Sequence, residues 1–525
     1  MMSQSQGQNP AEGSIGSVNR RFWFCLLGFA LLVFVFFKNA WVCDDAYINF
    51  RSIEQLYSGN GPNWNPNQRV QVYTSPLWYW MLALTRLISP DLYFNAINLS
   101  FLLLLLLTYL VFRRLSLFAA GIVFFLFAAS NAFVDYSSSG LENILASLLV
   151  ASAFLFCDKA LAQETESSKY GRLALVSLAL LPVCRHDLVT IALPFAVMLV
   201  YKAKKTAEKV ARILLMLSPL TLWSILSLVY YGAFFPNTAY AKLSTGIPRS
   251  KMIYQGLNYI AVTFSQDPIT MVVIIAAIIT GFLSKTGSGY AVSSSLLLNM
   301  AYIIWAGGDF MRGRFFSSGY VIAAVYLAQV IDRSNILFCN RRMCFGAVLI
   351  FVVYLVLFPY TPLNTGLSYT NFNLEHGIAD ERGYYFDVCS LYSYLYSKTG
   401  DVFPDFEWSH IGKQIAESRI NYLESDFNGM LGYWAGTSTI IIDRMGLADP
   451  FLARLPVATS TEWRIGHFKR EVPEAYRKSL ETGKNEFQPG SWHDLYDLVK
   501  IVTMDKPLIS WERFAAIVRL NLGLY

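Results

Sequence analysis

Long apolar segments recur along the first two thirds of the chain, and short polar segments separate them. The length of the apolar segments predicts about eleven membrane-spanning helices. Their approximate bounds are 22–42, 92–112, 117–134, 141–157, 173–184, 188–201, 213–231, 269–283, 290–305, 321–331 and 345–358.

Composition agrees with this pattern. The chain has 525 residues, of which 54% are hydrophobic and only 15% are charged, and its mean hydropathy is +0.39. These values are too apolar for a soluble domain and indicate a polytopic α-helical membrane protein. The seven cysteines show no spacing typical of a zinc site or a disulfide framework.

The basic residues predict an orientation. Arg20 and Arg21 precede the first apolar segment and place its start in the cytoplasm, so the polar stretch after it lies outside. Later basic clusters fall on the cytoplasmic side of the same topology, at Arg113 and Arg114, in the run 202–212 and from Arg333 to Arg342. Each cluster flanks a span, so the net charge of +6 indicates topology rather than nucleic-acid binding.

Three regions follow from these changes in composition. Residues 1–21 are polar, and we expect them to be disordered in the cytoplasm. Residues 22–359 form the membrane domain, whose first outer loop covers 43–91. Residues 360–525 are less apolar and carry mixed charges, strand-like IIIDRM and helical ERFAAIVRLNL, which predicts a small extracytoplasmic α/β domain.

Five polar loops emerge on the outer side in this topology: DDAY, GLEN, RHD, PNTAYAK and GGDFMRGR. Acids so close to hydrocarbon cost free energy, which makes them candidates for function. The proposed catalytic residues are Asp44 and Asp45. The candidates for binding a donor phosphate or sugar are Glu142, Arg185, Asn237, Lys242, Asp309, Arg312 and Arg314.

A carboxylate among cations at the outer face suits transfer from a lipid-phosphate donor. The acid can deprotonate an acceptor hydroxyl, while Arg or Lys stabilises the charge that grows on the departing phosphate. The sequence has no Gly-rich loop with phosphate-binding spacing, which argues against a nucleotide-hydrolysing transporter. The predicted topology leaves no cytoplasmic domain that could bind a nucleotide sugar, so an activated sugar would arrive attached to a lipid. We expect neither a metal nor another cofactor.

Structural explanations compete with these roles. Asp45 could be the N-cap of a helix that begins at Ala46, and Arg185 could simply pair with Asp187. Asp309 with its neighbouring arginines could form a local ion pair, Lys242 could be an interfacial lysine, and Glu142 could be a helix-start acid. The aromatic residues of the first loop could stack on a sugar or belong to an interfacial belt; they are Trp64, Tyr73, Trp78 and Tyr79.

Two other classes of function compete with an enzyme. A transporter or flippase would use the acids to couple ion or lipid movement, but it predicts charged groups near the middle of the spans, whereas these apolar segments are nearly free of charge. A non-catalytic assembly protein would instead bind envelope polymer through its C-terminal domain.

An ordered set of motifs resembles the multi-pass C-superfamily (GT-C) glycosyltransferases, and the terminal β-arabinofuranosyltransferase family most closely. The motifs are DDAYINFR, GNGPNWNP, YTSPLW, SSGLEN, RHD, YYGAFFPNTAYAK, WAGGDFMRGRF and GLADPFLARLP. In the third outer loop the family usually reads RPDG, whereas this chain has Arg185-His186-Asp187-Leu188. The resemblance covers nearly the whole chain after Phe22.

That resemblance implies an integral glycosyltransferase of a bacterial inner membrane, with its site facing the periplasm. The donor would be a polyprenyl-phosphate-linked sugar, with an arabinofuranose-like pentose favoured, and the acceptor a cell-envelope glycan or glycoprotein. The family's catalytic acid lies in the first outer loop, which here means Asp44 or Asp45.

Overall fold

The computed structural model describes residues 10–162, 169–243, 245–334, 341–365, 374–397, 402–458 and 463–525. The described residues up to Leu357 form a helical membrane region. The helices in this region are α1 (Pro10–Asn39), α2 (Asp44–Tyr57), α3 (Pro76–Thr85), α4 (Leu92–Arg114), α5 (Leu117–Ala129), α6 (Asn131–Ser137), α7 (Asn143–Ala162), α8 (Lys169–Cys184), α9 (Val189–Lys202), α10 (Thr206–Tyr230), α11 (Asn237–Leu243), α12 (Arg249–Gln266), α13 (Pro268–Leu283), α14 (Gly287–Ala306), α15 (Ser317–Ser334) and α16 (Arg341–Leu357).

A helix lies at each of the eleven predicted spans. Six helices in the described part of the chain are long and apolar enough to cross a membrane, and the number is eight if the bent pairs α5/α6 and α12/α13 each count as one span. Helices α8, α9 and α16 have 16, 14 and 17 residues and are shorter than a full span needs. The chain is thus polytopic, and the number eleven stays a prediction.

The first helix begins within the segment predicted to be disordered. Helix α1 starts at Pro10 and therefore includes residues 10–21, while residues 1–9 lie outside the described part. Its C-terminal half packs along α5, where Gly28 and Gly121 let the two helices approach closely. A Cβ on Gly121 would lie 2.6 Å from the ring of Phe24 and 3.2 Å from the Cα of Cys25.

The C-terminal region is a mixture of short helices and two small sheets. Its elements are β1 (Leu374–Glu375), β2 (Ile378–Ala379), α17 (Glu381–Cys389), α18 (Leu391–Tyr396), α19 (Glu407–Glu417), β3 (Tyr422–Ser425), α20 (Met430–Trp434), β4 (Ile440–Asp443), α21 (Glu474–Thr482), α22 (Ser491–Lys500) and α23 (Trp511–Asn521). Strands β1 and β2 are antiparallel, and β3 and β4 are parallel with Tyr422 opposite Ile440. The strand-like IIIDRM and helical ERFAAIVRLNL segments form β4 and α23, as predicted.

This region does not stand apart from the membrane helices. Phe386 and Met430 belong to the same buried apolar cluster as the residues of α1, α4 and α7. A second, smaller cluster around Phe451, Tyr476 and Tyr496 lies behind β4. The C-terminal region therefore packs directly onto one end of the helices, where the polar loops are found.

Candidate functional site

The two acids of the first outer loop begin helix α2. Asp44 and Asp45 occupy its first two positions, and the residue before them, Cys43, makes no side-chain capping bond. The alternative in which Asp45 caps a helix starting at Ala46 therefore does not hold, because the helix begins at Asp44. Both carboxylates lie in the first turn, where the helix dipole favours negative charge.

Asp44 points towards the C-terminal region. Its Oδ1 accepts a hydrogen bond of 2.7 Å from the backbone N–H of Met430, at the start of α20. Gly429 is pressed against the same residue, because a Cβ there would lie 2.2 Å from the Asp44 carbonyl oxygen and 2.3 Å from its carboxyl group. Burial raises the pKa of Asp44 to about 7, although the Met430 N–H opposes the shift.

Asp45 points the other way and remains accessible. Its side chain is 35% exposed, and its Oδ2 lies 3.9 Å from an Nη atom of Arg314. Burial raises the pKa of Asp45, whereas the charges of Arg314 and Lys242 lower it, and those of Asp309 and Glu142 raise it. Asp45 is thus a carboxylate with open access that faces two cations.

Arg314 lies at the centre of this cluster. Besides Asp45 it contacts Asp309 at 3.5 Å and Glu142 at 3.4 Å. Glu142 also lies 3.7 Å from Arg185, which pairs with Asp187 at 2.8 Å. Four polar loops therefore meet at one point, and three of the structural explanations hold as well: Arg185 does pair with Asp187, Asp309 does pair with an arginine, and Glu142 does lie next to the start of α7.

Lys242 and Asn237, both on α11, have different surroundings. Lys242 is exposed at the mouth of the cluster, and its charge acts on Asp45 and on His467. Asn237 is buried, and its Nδ2 donates to the carbonyls of Gly446, Leu447 and Asp449 at 2.9, 3.1 and 3.0 Å. Asn237 therefore holds α11 against the loop after β4, with its amide N–H groups already in use.

Arg312 does not belong to the cluster. Its guanidinium group is buried and pairs with Asp380 at 3.0 Å and with Asp135 at 3.6 Å, and it also donates to Gln266. The expectation that Arg312 binds the donor is therefore not supported by its position. Arg312 and Arg314 lie on either side of Gly313, whose φ of +75° turns the chain just before a short 3-10 helix begins at Arg314, and the two side chains reach different acids. A sequence motif does not reveal this turn.

The aromatic residues considered as stacking surfaces in the first loop are fully buried. They are Trp64, Tyr73, Trp78 and Tyr79. Tyr73 and Tyr79 stack on each other at 3.8 Å, and the Trp78 indole donates to the carbonyl of Gly140. These side chains build the loop and present no ring to a substrate.

Three residues of the C-terminal region line the site, although the sequence did not indicate them. They are Glu381, Arg464 and His467. Glu381 is buried, and burial raises its pKa to about 8 while Arg464, at 3.3 Å, lowers it. Burial and the charge of Arg464 lower the pKa of His467 to about 4, and its ring meets Phe310 edge-on. No local motif marks these residues, because their partners lie elsewhere in the chain.

The geometry is that of an acid and cation cluster without a metal-binding set. Within the described ranges, no group of three or more His, Cys, Asp and Glu side chains is placed to hold a metal ion. The cations of the cluster come from Arg and Lys, which suit a phosphate ligand.

The fold and site define a polytopic helical membrane protein with an acidic and basic cluster at one end of its helices. No protein-family model matches the chain. It is similar to the terminal β-(1→2)-arabinofuranosyltransferase of Mycobacterium tuberculosis, with 25% identity over 323 residues, which are 53% of this chain and 50% of that protein. The protein of the same name from Corynebacterium glutamicum is 26% identical over 321 residues, covering 52% and 46%.

These relatives confirm the resemblance that the motifs indicated, although the chain spans about half the length of the relatives it matches. Among solved structures, ArnT from Cupriavidus metallidurans bound to undecaprenyl phosphate aligns with a TM-score of 0.49 and 14% identity, over 80% of this chain and 86% of that one. The oligosaccharyltransferase of Archaeoglobus fulgidus aligns with a TM-score of 0.47 and 11% identity, over 82% and 65%. Both TM-scores are below 0.5, so these alignments carry no further conclusion about this chain.

The raised pKa of Asp44 predicts a pH effect on stability. Between the usual aspartate pKa near 3.9 and about 7, the folded chain keeps a proton at this site that the unfolded chain has lost. The free energy of unfolding should therefore fall as the pH rises through this window. We expect Asp44→Asn to lose less stability over the same window, as measured by thermal unfolding of the purified protein at several pH values.

The matched control for this prediction is Glu471→Gln, which changes an exposed carboxyl group. It should keep the pH dependence of the unmodified chain. Equal pH dependence in Asp44→Asn and in the unmodified chain would show that Asp44 is not protonated in the folded state.

Proposed function

We propose that the protein is a membrane glycosyltransferase that moves a sugar from a polyprenyl-phosphate donor to a glycan or glycoprotein acceptor. The observation that carries the proposal is the position of Asp45, an accessible carboxylate that faces Arg314 at 3.9 Å and lies within the field of Lys242. The relatives named arabinofuranosyltransferases support the class of reaction. An arabinofuranose-like pentose is the favoured sugar.

The reaction assigns one role to each charged group. The acceptor hydroxyl oxygen bonds to the anomeric carbon of the donor sugar, and the bond between that carbon and the phosphate oxygen breaks. Asp45 takes the proton of the hydroxyl, and the polyprenyl phosphate leaves with the bonding electrons. The raised pKa of Asp45 makes it a stronger base than an ordinary aspartate.

Arg314 and Lys242 are the groups that we assign to the donor phosphate. An arginine offers two parallel N–H donors to a phosphate, and the exposed Lys242 adds a mobile charge at the mouth of the site. Glu142 and Asp309 hold Arg314 in place through opposite charge, and Arg185 in turn pairs with Glu142. Asp44 is a positioning residue, because its carboxyl group is engaged by the Met430 N–H.

The orientation proposed is that of a bacterial inner membrane with the site facing the periplasm. Basic side chains at the other end of the helices support it. Arg333 pairs with Asp158 at 2.9 Å, Lys202 donates to carbonyls at the end of α7, and Arg114 lies over the ring of Phe156. These residues lie far along their helices from Asp45, as the positive-inside rule requires of a cytoplasmic end.

The first test removes the proposed base. Asp45→Asn should lower the rate of sugar transfer about 10²- to 10⁴-fold, the usual contribution of a general base. Asp44→Asn, which leaves the base in place, should lower it less. The measurement is transfer of radiolabelled pentose from a polyprenyl-phosphate donor by the purified full chain in liposomes, with the unfolding temperature as a check on folding.

Full activity of Asp45→Asn would exclude it as the base. Absence of transfer by the unmodified chain with pentose and hexose donors alike would favour an assembly protein over an enzyme.

The second test concerns the phosphate. Arg314→Lys keeps the charge that its acidic neighbours need but loses the two-pronged donor. We expect transfer to fall about 10²-fold, which is the range for loss of one group that stabilises developing charge, with little change in unfolding temperature. Arg477→Gln is the control, because Arg477 lies in the C-terminal region and pairs with Glu424 rather than with a residue of the cluster. A transfer rate for Arg314→Lys equal to that of the control would contradict the assignment.

A third test identifies the sugar and the acceptor. Cells with and without the gene should differ in one class of envelope glycan or glycoprotein, which loses a terminal sugar when the gene is absent. Mass spectrometry of these glycans measures the mass of the missing residue. A missing hexose would overturn the preference for a pentose and leave the proposed donor class intact.

A further inference from the structure

The last helix, α23, packs only one of its faces against the rest of the protein. Its buried side chains are Arg513, Ala516, Ile517 and Leu520. At about 100° per residue these four positions fall on one side of the helix. Ile517 and Leu520 belong to the second apolar cluster, so this side holds α23 in place.

A second face of α23 is apolar and exposed. Trp511, Phe514, Val518 and Leu522 are spaced by three or four residues, and Trp511 is 81% exposed. They form a stripe about 100° wide along the helix. Ile509, just before the helix, is 92% exposed and extends the stripe. We call these five residues the α23 stripe.

A third face of α23 is charged. Glu512 and Arg519 are exposed between the α23 stripe and the buried face. The helix therefore presents three sides in order: one against the protein, one apolar and open, and one charged. This arrangement is typical of a helix that lies at a membrane surface, with charges at the level of the lipid headgroups.

The position of α23 relative to the membrane helices is fixed by hydrogen bonds. Arg513 donates to the carbonyls of Val229 and Tyr230 at 2.6 and 2.8 Å, which are the last residues of α10. Asn521 donates to the carbonyl of Gly232 at 2.8 Å. Both ends of α23 are thus tied to the point where α10 ends.

Helix α10 is the most exposed of the candidate spans in the described chain, since only 6% of its apolar window is buried inside the protein. One side of α10 packs against α8 and α9, and the rest of its surface faces lipid along most of its length. Because α23 is attached to its last turn, the α23 stripe continues this lipid-facing surface at the membrane boundary. The chain after α10 leads to Lys242, so this boundary is the one next to Asp45.

We propose that α23 lies in the plane of the membrane on the side of the site, with the α23 stripe among the acyl chains of phospholipids. The occupant is lipid rather than a second copy of the chain, because the stripe is continuous with a surface that already faces lipid. The proposal does not depend on the reaction proposed above.

Membrane contact at α23 would also steady the first outer loop. The turn before α23 accepts hydrogen bonds from that loop: the backbone N–H of Arg69 donates to Thr503 at 3.0 Å, and its guanidinium group donates to Lys506 at 2.8 Å. Arg513 donates to Val502 in the same turn at 2.9 Å. The guanidinium group of Arg69 also donates to Val502 at 3.3 Å, so hydrogen bonds connect the loop that carries Asp45 to α23.

The test places a photoreactive side chain on the stripe. The variant Phe514→p-benzoylphenylalanine, in the full chain in nanodiscs of phosphatidylethanolamine and phosphatidylglycerol, is irradiated and digested, and lipid adducts on peptides are measured by mass spectrometry. Val518 carries the same probe in a second variant. The matched control has the probe at Lys478, which is exposed on α21 in the C-terminal region.

We expect severalfold more lipid adduct at 514 and 518 than at 478, with elution and unfolding temperature of all three variants unchanged. If either stripe variant fails to fold, the other one decides. Equal adduct yields at the stripe and at 478 would overturn the proposal. Crosslinks between two copies of the chain in place of lipid adducts would overturn it as well.

Discussion

Buried arginines that bind backbone carbonyls hold the C-terminal region to the end of the membrane helices. Arg51, in α2, donates to the carbonyls of Trp64, Gly432, Gly436 and Thr439. In the same way, Arg470 donates to the carbonyl of Ala241 in α11, and Arg513 donates to the carbonyl of Tyr230 at the end of α10. Irregular backbone packed against a membrane helix must find partners for its carbonyls, since water is excluded there. A guanidinium group supplies up to five donors at once, so one buried arginine can satisfy several crossing segments.

These contacts determine the geometry of the site. Arg51 fixes the turn that follows α20 against α2, and the same helix presents Asp44 to the N–H of Met430. The close approach requires glycine at position 429, because a Cβ would overlap with Asp44. With Asp44 held in this way, its neighbour Asp45, about 100° further round the helix, faces Arg314. The separation of the acids into a positioning residue and a proposed base is thus a consequence of how the C-terminal region packs.

Behind the site, a second network of buried charge supports the loop that carries Arg314. Arg382 pairs with Asp135 at 2.6 Å, and Arg312 bridges Asp380 and Asp135. Burying such groups is costly unless each is paired and hydrogen-bonded. The backbone adds to this support. The Arg312 N–H donates to the Ala379 carbonyl at 2.9 Å, and the Ala379 N–H donates to the Phe310 carbonyl at 2.8 Å. Two acids therefore support the charged loop 309–314 through Arg312: Asp135 of α6 and Asp380, which comes just before α17.

The sequence by itself determined the polytopic class and the helix at each apolar segment. It also determined that the loops with Asp45, Glu142, Arg185 and Asp309 lie on one side. The reason is that apolar length and the distribution of basic residues govern how a chain crosses a membrane. The tertiary structure decided which neighbouring residues point into the site. The side chains of Arg312 and Arg314 point to different acids. The amide group of Asn237 donates its hydrogen bonds to carbonyls of a distant loop. Only the tertiary structure places Glu381, Arg464 and His467 at the site. Arg464 reaches Glu381 and His467 reaches Phe310 across long stretches of chain, and no local pattern encodes a contact that packing alone creates.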